Sequence, residues 1–164
     1  MAEPRGFTRL GRIACALAVA VIAIDQLVKH WILFGLHLSD KVSVDVVGPL
    51  RLTMVWNQGV SFGLLRADHD IVRWALTAFS LIVAVVLAWW ARTATRTFMG
   101  LGLGLVMGGA VGNAIDRFRF GAVVDFIDVT QLMFPWVFNI ADSAICVGVA
   151  FLLLDSVRKE PVAA

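Results

Sequence analysis

Charge is scarce in this chain of 164 residues. Only 16% are Asp, Glu, Lys or Arg, against roughly 25% in ordinary globular chains. Disorder is excluded, because it needs a polar, charge-rich composition. The net charge is +2 with no basic stripe, which excludes nucleic acid as a partner. Cysteine is nearly absent. Cys15 and Cys146 both lie in apolar runs with no CxxC spacing, so neither a disulfide framework nor a zinc site is supported, and both are expected to be buried. His30, His37 and His69 form no HExxH pattern. No metal and no cofactor are expected. What the chain has in excess is apolar side chains, at 60% against roughly 45–50%. So short a soluble chain could not cover that surface.

The apolar residues are arranged in spans. Trp74–Ala91 and Thr97–Ile115 are uncharged runs of 18 and 19 residues, close to the roughly 20 that cross a bilayer. Ile13–Leu36 is apolar apart from Asp25, Gln26, Lys29 and His30, and Val137–Leu154 apart from Asn139, Asp142 and Ser143. The expected fold is a membrane all-α bundle of four helices, about 10–36, 70–91, 97–115 and 137–155, forming a single domain. Between the first two lies an outer segment, 37–69. Val42–Val46 and Leu50–Trp56 alternate around a Gly48-Pro49 turn, so two or three short strands and a small extracytoplasmic sheet are expected there.

An even number of spans puts both termini on one side. That side carries Arg5, Arg9, Arg12, Arg92, Arg96, Arg158 and Lys159 against Glu3, Asp155 and Glu160. The remaining seven basic residues face nine acidic ones. The first group clusters at helix ends, where basic residues set orientation, so both termini are expected in the cytoplasm. Trp31, Trp56, Trp74 and Trp136 mark one interface, and Trp89 and Trp90 the other. The first span is not a cleaved leader with Cys15 as a lipidation site, because Arg12 stands where an aliphatic residue is needed and Cys15 begins the apolar run. Gly100, Gly104, Gly108 and Gly112 recur at every fourth residue. They form a smooth face expected to pack against a neighbouring helix, with a substrate path as the alternative.

Ionisable groups in a span cost roughly 2.5–3.5 kcal/mol each at its centre, so those present need a reason. Asp25 and Lys29 are one turn apart and can pair. Asn113 and Asp116, three residues apart, stand near the end of the third span and Arg117 follows them; Asp116 is expected to pair locally with Asn113 or Arg117. Asp125 sits in the apolar stretch 122–127, read as a connecting loop. Asn139 and Asp142 open the fourth span, with Asp142 about 7–8 Å below the surface at 1.5 Å per residue. All of these fall at the outer end of the bundle. A polar lock between helices is one reading. The convergence of at least four carboxylates on two nearby cations favours a site. Two close carboxyls cannot both ionise cheaply, so one keeps a proton. One can then deprotonate water while the other donates to a carbonyl oxygen, with no metal and no covalent intermediate. Ser143 has no base placed by sequence to activate it.

At these residues the chain resembles the bacterial lipoprotein signal peptidases (signal peptidase II). The matching stretches are Asp25-Gln26-Leu27-Val28-Lys29, Trp56-Asn57-Gln58-Gly59-Val60-Ser61-Phe62-Gly63, Gly112-Asn113-Ala114-Ile115-Asp116-Arg117, Val123-Val124-Asp125-Phe126-Ile127 and Phe138-Asn139-Ile140-Ala141-Asp142-Ser143-Ala144. The resemblance implies an aspartyl protease of the bacterial inner membrane with Asp125 and Asp142 as catalytic dyad. It also implies that Asp25, Lys29, Asn57, Asn113, Asp116, Arg117 and Asn139 form a supporting shell. The implied substrate is a prolipoprotein whose cysteine already carries diacylglycerol, cleaved just before that cysteine near the outer leaflet surface. The implied partners are therefore these substrates and membrane lipids, and a monomer is expected. Val28 departs from the family, which has serine or threonine there. The alternative from another class is a small proton-coupled transporter or channel. Against it, Leu101–Val111 and Val147–Leu154 hold nothing polar larger than glycine.

Overall fold

A computed structural model describes residues 6–59 and 70–157. Glu3, Arg5, Arg158, Lys159, Glu160, His69 and the Val60-Ser61-Phe62-Gly63 part of the second motif lie outside the described residues. Four helices are long and apolar enough to span a membrane. The first, α1 (Arg9–His30), begins where the Thr8 hydroxyl accepts the Gly11 N–H, which satisfies an otherwise orphan donor. It continues through a wider π-type turn at Trp31–Gly35. A short helix, α2 (Leu38–Lys41), leads into strands β1 (Ser43–Val47) and β2 (Leu50–Asn57), joined at the expected Gly48-Pro49 turn. The other spans are α3 (Asp70–Ala91), α4 (Thr97–Phe120) and α5 (Ile140–Val157).

Two boundaries differ from those the uncharged runs imply. α4 runs five residues beyond Ile115, to Phe120. Arg117 and Arg119 end the uncharged run but not the helix; Gly121, at φ 78°, does that. α5 begins at Ile140, not 137, because Val137-Phe138 forms a strand, β4. The stretch holding Asp125 is likewise not a loop but strand β3 (Val123–Asp128). The antiparallel sheet therefore has four strands in the order β1-β2-β3-β4. Two come from the expected outer segment and two from the α4–α5 connection.

The bundle is built around α4, whose glycines let neighbours approach backbone to backbone. Gly104 and Gly108 face Ala14, Leu17, Ala18 and Val21 of α1, while Gly102 and Gly109 face Ala141, Ile145, Gly148 and Leu152 of α5. The Gly100–Gly112 face is thus filled by α1, which makes it packing surface and excludes the substrate path. α3 also packs on α4. One apolar cluster joins Ala14, Ala18, Leu103 and Met107 to Ala91 and Ala94 at the α3–α4 corner, towards the end of the bundle opposite the sheet. A second, with Ile32, Leu33, Leu38, Val124 and Phe126 at its centre, seats the sheet on the end of α1, and Val28 packs against it. Val28 thus meets apolar neighbours. Cys15 is half-buried and Cys146 exposed. The expected burial of Cys146 is corrected: its side of α5 faces outward from the bundle.

Candidate active site

Asp125 is placed by pairing, not by local sequence. β3 is held antiparallel to β2 with Asp125 opposite Val55 and Val123 opposite Asn57. Alternation puts Asn57 on the same face as Asp125, and the Asn57 amide donates to Asp125 Oδ2 at 2.9 Å. Val124 and Phe126, pointing the other way, enter the apolar cluster beneath the sheet. Asp142 is placed by a helix start. The Asn139 Oδ1 atom accepts the Asp142 N–H at 2.9 Å and Asp142 Oδ2 accepts the Asn139 N–H at 3.3 Å, a reciprocal cap of the first turn of α5.

Two asparagines connect the aspartates. The Asn139 amide donates to Asp125 Oδ1 at 2.7 Å and to Asn113 Oδ1 at 3.2 Å. The Asn113 amide donates to Asp142 Oδ1 at 2.8 Å. Asn139 and Asn113 thus fix both carboxylates from one side. Asp125 is only 1% exposed. Burial, reinforced by the neighbouring Asp142 carboxylate, pushes its pKa up to about 7, and this outweighs the two asparagine donors and the distant Lys29, which pull it down. Asp125 therefore holds a proton well above the usual carboxylate range.

Behind this pair lies a buried ionic triad. Lys29, 2% exposed, bridges Asp25 Oδ2 at 2.8 Å and Asp116 Oδ2 at 2.7 Å, and touches Asn113 Oδ1 at 3.4 Å. The expected Asp25–Lys29 pair is present. The expected local partners of Asp116 are not: its carboxylate meets Lys29 and Gln26 of α1. α4 turns Asp116 towards α1 because the glycine face brings the two helices together. Each acid of the triad also grips the backbone just before one of the paired aspartates. Asp116 Oδ2 accepts the Val124 N–H at 3.1 Å and Asp25 Oδ1 the Ala141 N–H at 3.0 Å. One ammonium thus ties together the two points from which Asp125 and Asp142 project.

Gln26 belongs to this arrangement although its sequence position did not single it out. Its amide donates to Asp116 Oδ1 at 2.9 Å, to Asp25 Oδ2 at 3.2 Å and to the Gly112 carbonyl at 3.3 Å. The signal was an amide beside Asp25 within an otherwise apolar span. Ser143 donates to the Asn139 carbonyl and has no base beside it. Among the described residues no three His, Cys, Asp or Glu side chains are grouped to hold a metal ion.

A cavity of about 300 Å³ opens beside the pair. Its polar lining is Asn57, Asn113, Arg117, Asp142 and Ser80, and Leu76, Phe79 and Val83 of α3 face Val106, Ala110 and Ile145 across it. α3 and α5 flank α4 and scarcely touch each other, so the cleft between them faces the lipid. Apart from Ser80 the α3 side is apolar, and it carried no sequence signal. The site therefore offers a proton-holding carboxyl, a second carboxyl at a helix start and a greasy groove leading to them.

Residues 17–158 match the family described as Signal peptidase (SPase) II. The chain is 54% identical over 154 residues to a lipoprotein signal peptidase of Caulobacter vibrioides, covering 93% of this chain and 91% of that one. It is 41% identical over 155 residues to the lipoprotein signal peptidase of Rhodopseudomonas palustris strain TIE-1, covering 92% and 94%. A solved bacterial membrane enzyme superposes with a TM-score of 0.77 at 26% identity, over 99% of this chain and all of that one.

Proposed function

The chain belongs to the signal peptidase II family of membrane aspartic peptidases, and from that premise we propose that Asp125 and Asp142 are the pair that cleaves signal peptides from prolipoproteins. Asp125 keeps the shared proton and donates it to the scissile carbonyl oxygen. Asp142 is the base that takes a proton from the attacking water. The observation that carries this assignment is the elevated Asp125 pKa, produced by burial beside Asp142. No covalent intermediate forms: as the tetrahedral intermediate collapses, Asp142 passes the proton it took from water to the leaving amine, and Asp125 recovers its proton from the hydroxyl it had protonated.

The substrate is a prolipoprotein already bearing diacylglycerol on its cysteine, cut just before that cysteine. The lipid-facing cleft between α3 and α5 supports this, since a lipid-anchored chain can enter sideways without leaving the bilayer. Arg117 lines the cavity and positions substrate there; Asn57, Asn113 and Asn139 hold the carboxyls. Asp25, Lys29 and Asp116 fix the backbone from which the pair projects. The enzyme works as a monomer in the bacterial inner membrane with its site near the outer leaflet surface. The test is cleavage of a lipid-modified prolipoprotein by protein purified into lipid. Asp125→Asn and Asp142→Asn should each fold and bind substrate yet cleave slower by about two orders of magnitude or more. The double variant should be little worse than either, because the two act as one unit. Near-normal turnover in either single variant removes that residue from the mechanism.

A further inference from the structure

The β3–β4 connection is unusual for a surface loop. From Val129 to Phe138 it carries no charge, and its tip is exposed apolar side chain: Leu132 is 61%, Met133 95% and Phe134 47% exposed. Exposed tips in water are normally polar. Met133 also stands at φ 62°, a left-handed backbone that an L side chain adopts at a cost, and this turns its side chain fully outward.

The direction of the loop follows from its tethers. α4 and α5 pack side by side, with Gly109 of α4 against Ala141 in the first turn of α5. α4 runs on for 11 residues beyond Gly109, to Phe120, about 16 Å at 1.5 Å per residue, so its end stands beyond the first turn of α5 on the same side of the membrane. β3 starts three residues after α4, at Val123, and its Ile127 pairs with Phe138, two residues before α5. β3, about 13 Å from Val123 to Ile127 at roughly 3.3 Å per residue, therefore leads from the end of α4 back towards the start of α5 instead of rising further into water. The loop beyond Asp128 and Val137 joins this strand to α5 and so lies within a few residues of the point where a span begins. The surface reached there is continuous with the lipid that surrounds α5.

We infer that the Leu132–Phe134 tip is a membrane anchor, seated in the boundary between headgroups and acyl chains of the adjoining leaflet, where its apolar side chains and the neighbouring Trp136 fit. The occupant of this surface is lipid, not a second protein. The anchor fixes the tilt and depth of the sheet, and with them the depth of Asp125 on β3. It does not depend on the catalytic assignment above.

The test uses the full chain with Cys15 and Cys146 replaced by alanine, a single cysteine at Met133→Cys carrying a nitroxide, and reconstitution into bilayer vesicles. Collision rates are read with oxygen, which concentrates in lipid, and with a water-soluble nickel chelate. References are labels at Val19, 66% exposed on α1, and at Asp45, whose side chain is 81% exposed on β1. The Met133 label should show oxygen dominance of the kind seen at Val19, and Leu132→Cys should repeat it. Nickel dominance matching Asp45 would place the tip in water and overturn the anchor. Low collision with both probes would mean a protein partner covers the tip, which overturns it equally.

Discussion

Lys29 shows how a buried charge can be held at low cost and still be indispensable. Its ammonium is compensated by two carboxylates at 2.8 and 2.7 Å, and those carboxylates spend their other lone pairs on backbone N–H groups. Lys29→Met removes the only cation of the set and leaves Asp25 and Asp116 facing each other in a dry interior. Breaking a buried pair in this way costs about 3–5 kcal/mol, so the thermal midpoint in detergent should fall sharply, with turnover lost alongside it. Asp116→Asn should be milder: the amide oxygen can still accept the Val124 N–H, but the net charge of the cluster changes. An Asp116→Asn protein that is fully stable and wholly inactive would move Asp116 from support into the reaction. Asp125 behaves oppositely with pH. Its folded pKa lies near 7, above the unfolded value of about 3.9, so the folded state binds the extra proton. Its unfavourable contribution is absent below about pH 4, grows as pH rises, and is complete above about pH 7. Asp125→Asn abolishes this slope. Thermal midpoints measured across pH 4 to 8 should show the variant gaining on the parent as pH rises; a constant difference would mean that Asp125 is ionised throughout.

Among the elements, α4 carries the heaviest constraint, because three helices and a strand pack on it. A Cβ on Gly109 would collide with the Ala141 carbonyl oxygen, one residue from Asp142, whereas a Cβ on Gly100 would meet Leu10 at an ordinary 3.4 Å. Gly109→Ala should therefore lower both stability and cleavage, while Gly100→Ala leaves both nearly unchanged; equal effects on cleavage would show that the α4–α5 spacing does not position Asp142. The four spans and the first hairpin were legible from hydropathy and alternation, because both signals are local. The third and fourth strands were not. Val123–Asp128 is an apolar run around one aspartate, and only pairing with β2, nearly seventy residues earlier, makes it a strand. The polar residues of the spans could be named from their presence at the wrong depth, and the Asp25–Lys29 pair is local enough to read, whereas Asn57 was implied only by the resemblance and the partners of Asp116 were not legible. Asp116 chooses Lys29 across two helices over its own neighbours, and that choice depends on how closely Gly108 and Gly112 admit α1.

At the scale of the whole molecule, the two ends of the bundle differ in what they hold. The end bearing the sheet gathers the buried carboxylates Asp25, Asp116, Asp125 and Asp128, and two of its surface cations are paired, Arg51 with Asp45 and Arg73 with Asp70. At the opposite end Arg9, Arg12, Arg92 and Arg96 stand on helix ends or in the short α3–α4 turn; Arg96 pairs with Asp155, and among the described residues the other three form no ion pair. Basic residues this close to span ends resist translocation, whereas acidic residues contribute little. Both chain ends should therefore remain in the cytoplasm, with the sheet, the cleft mouth and Asp125 on the far side of the membrane. A reporter joined after Arg158 should be active only when it reads the cytoplasm, and one inserted within 37–69 only when it reads the outside. Replacing Arg9, Arg12, Arg92 and Arg96 by glutamine should weaken this preference and yield a mixed population, since only Arg5, Arg158 and Lys159 of the seven cations on that side then remain. An outward signal from the C-terminal fusion would turn the molecule over and put the carboxyl pair at the cytoplasmic face, where a chain exported as far as its signal-peptide junction no longer presents the bond to be cut.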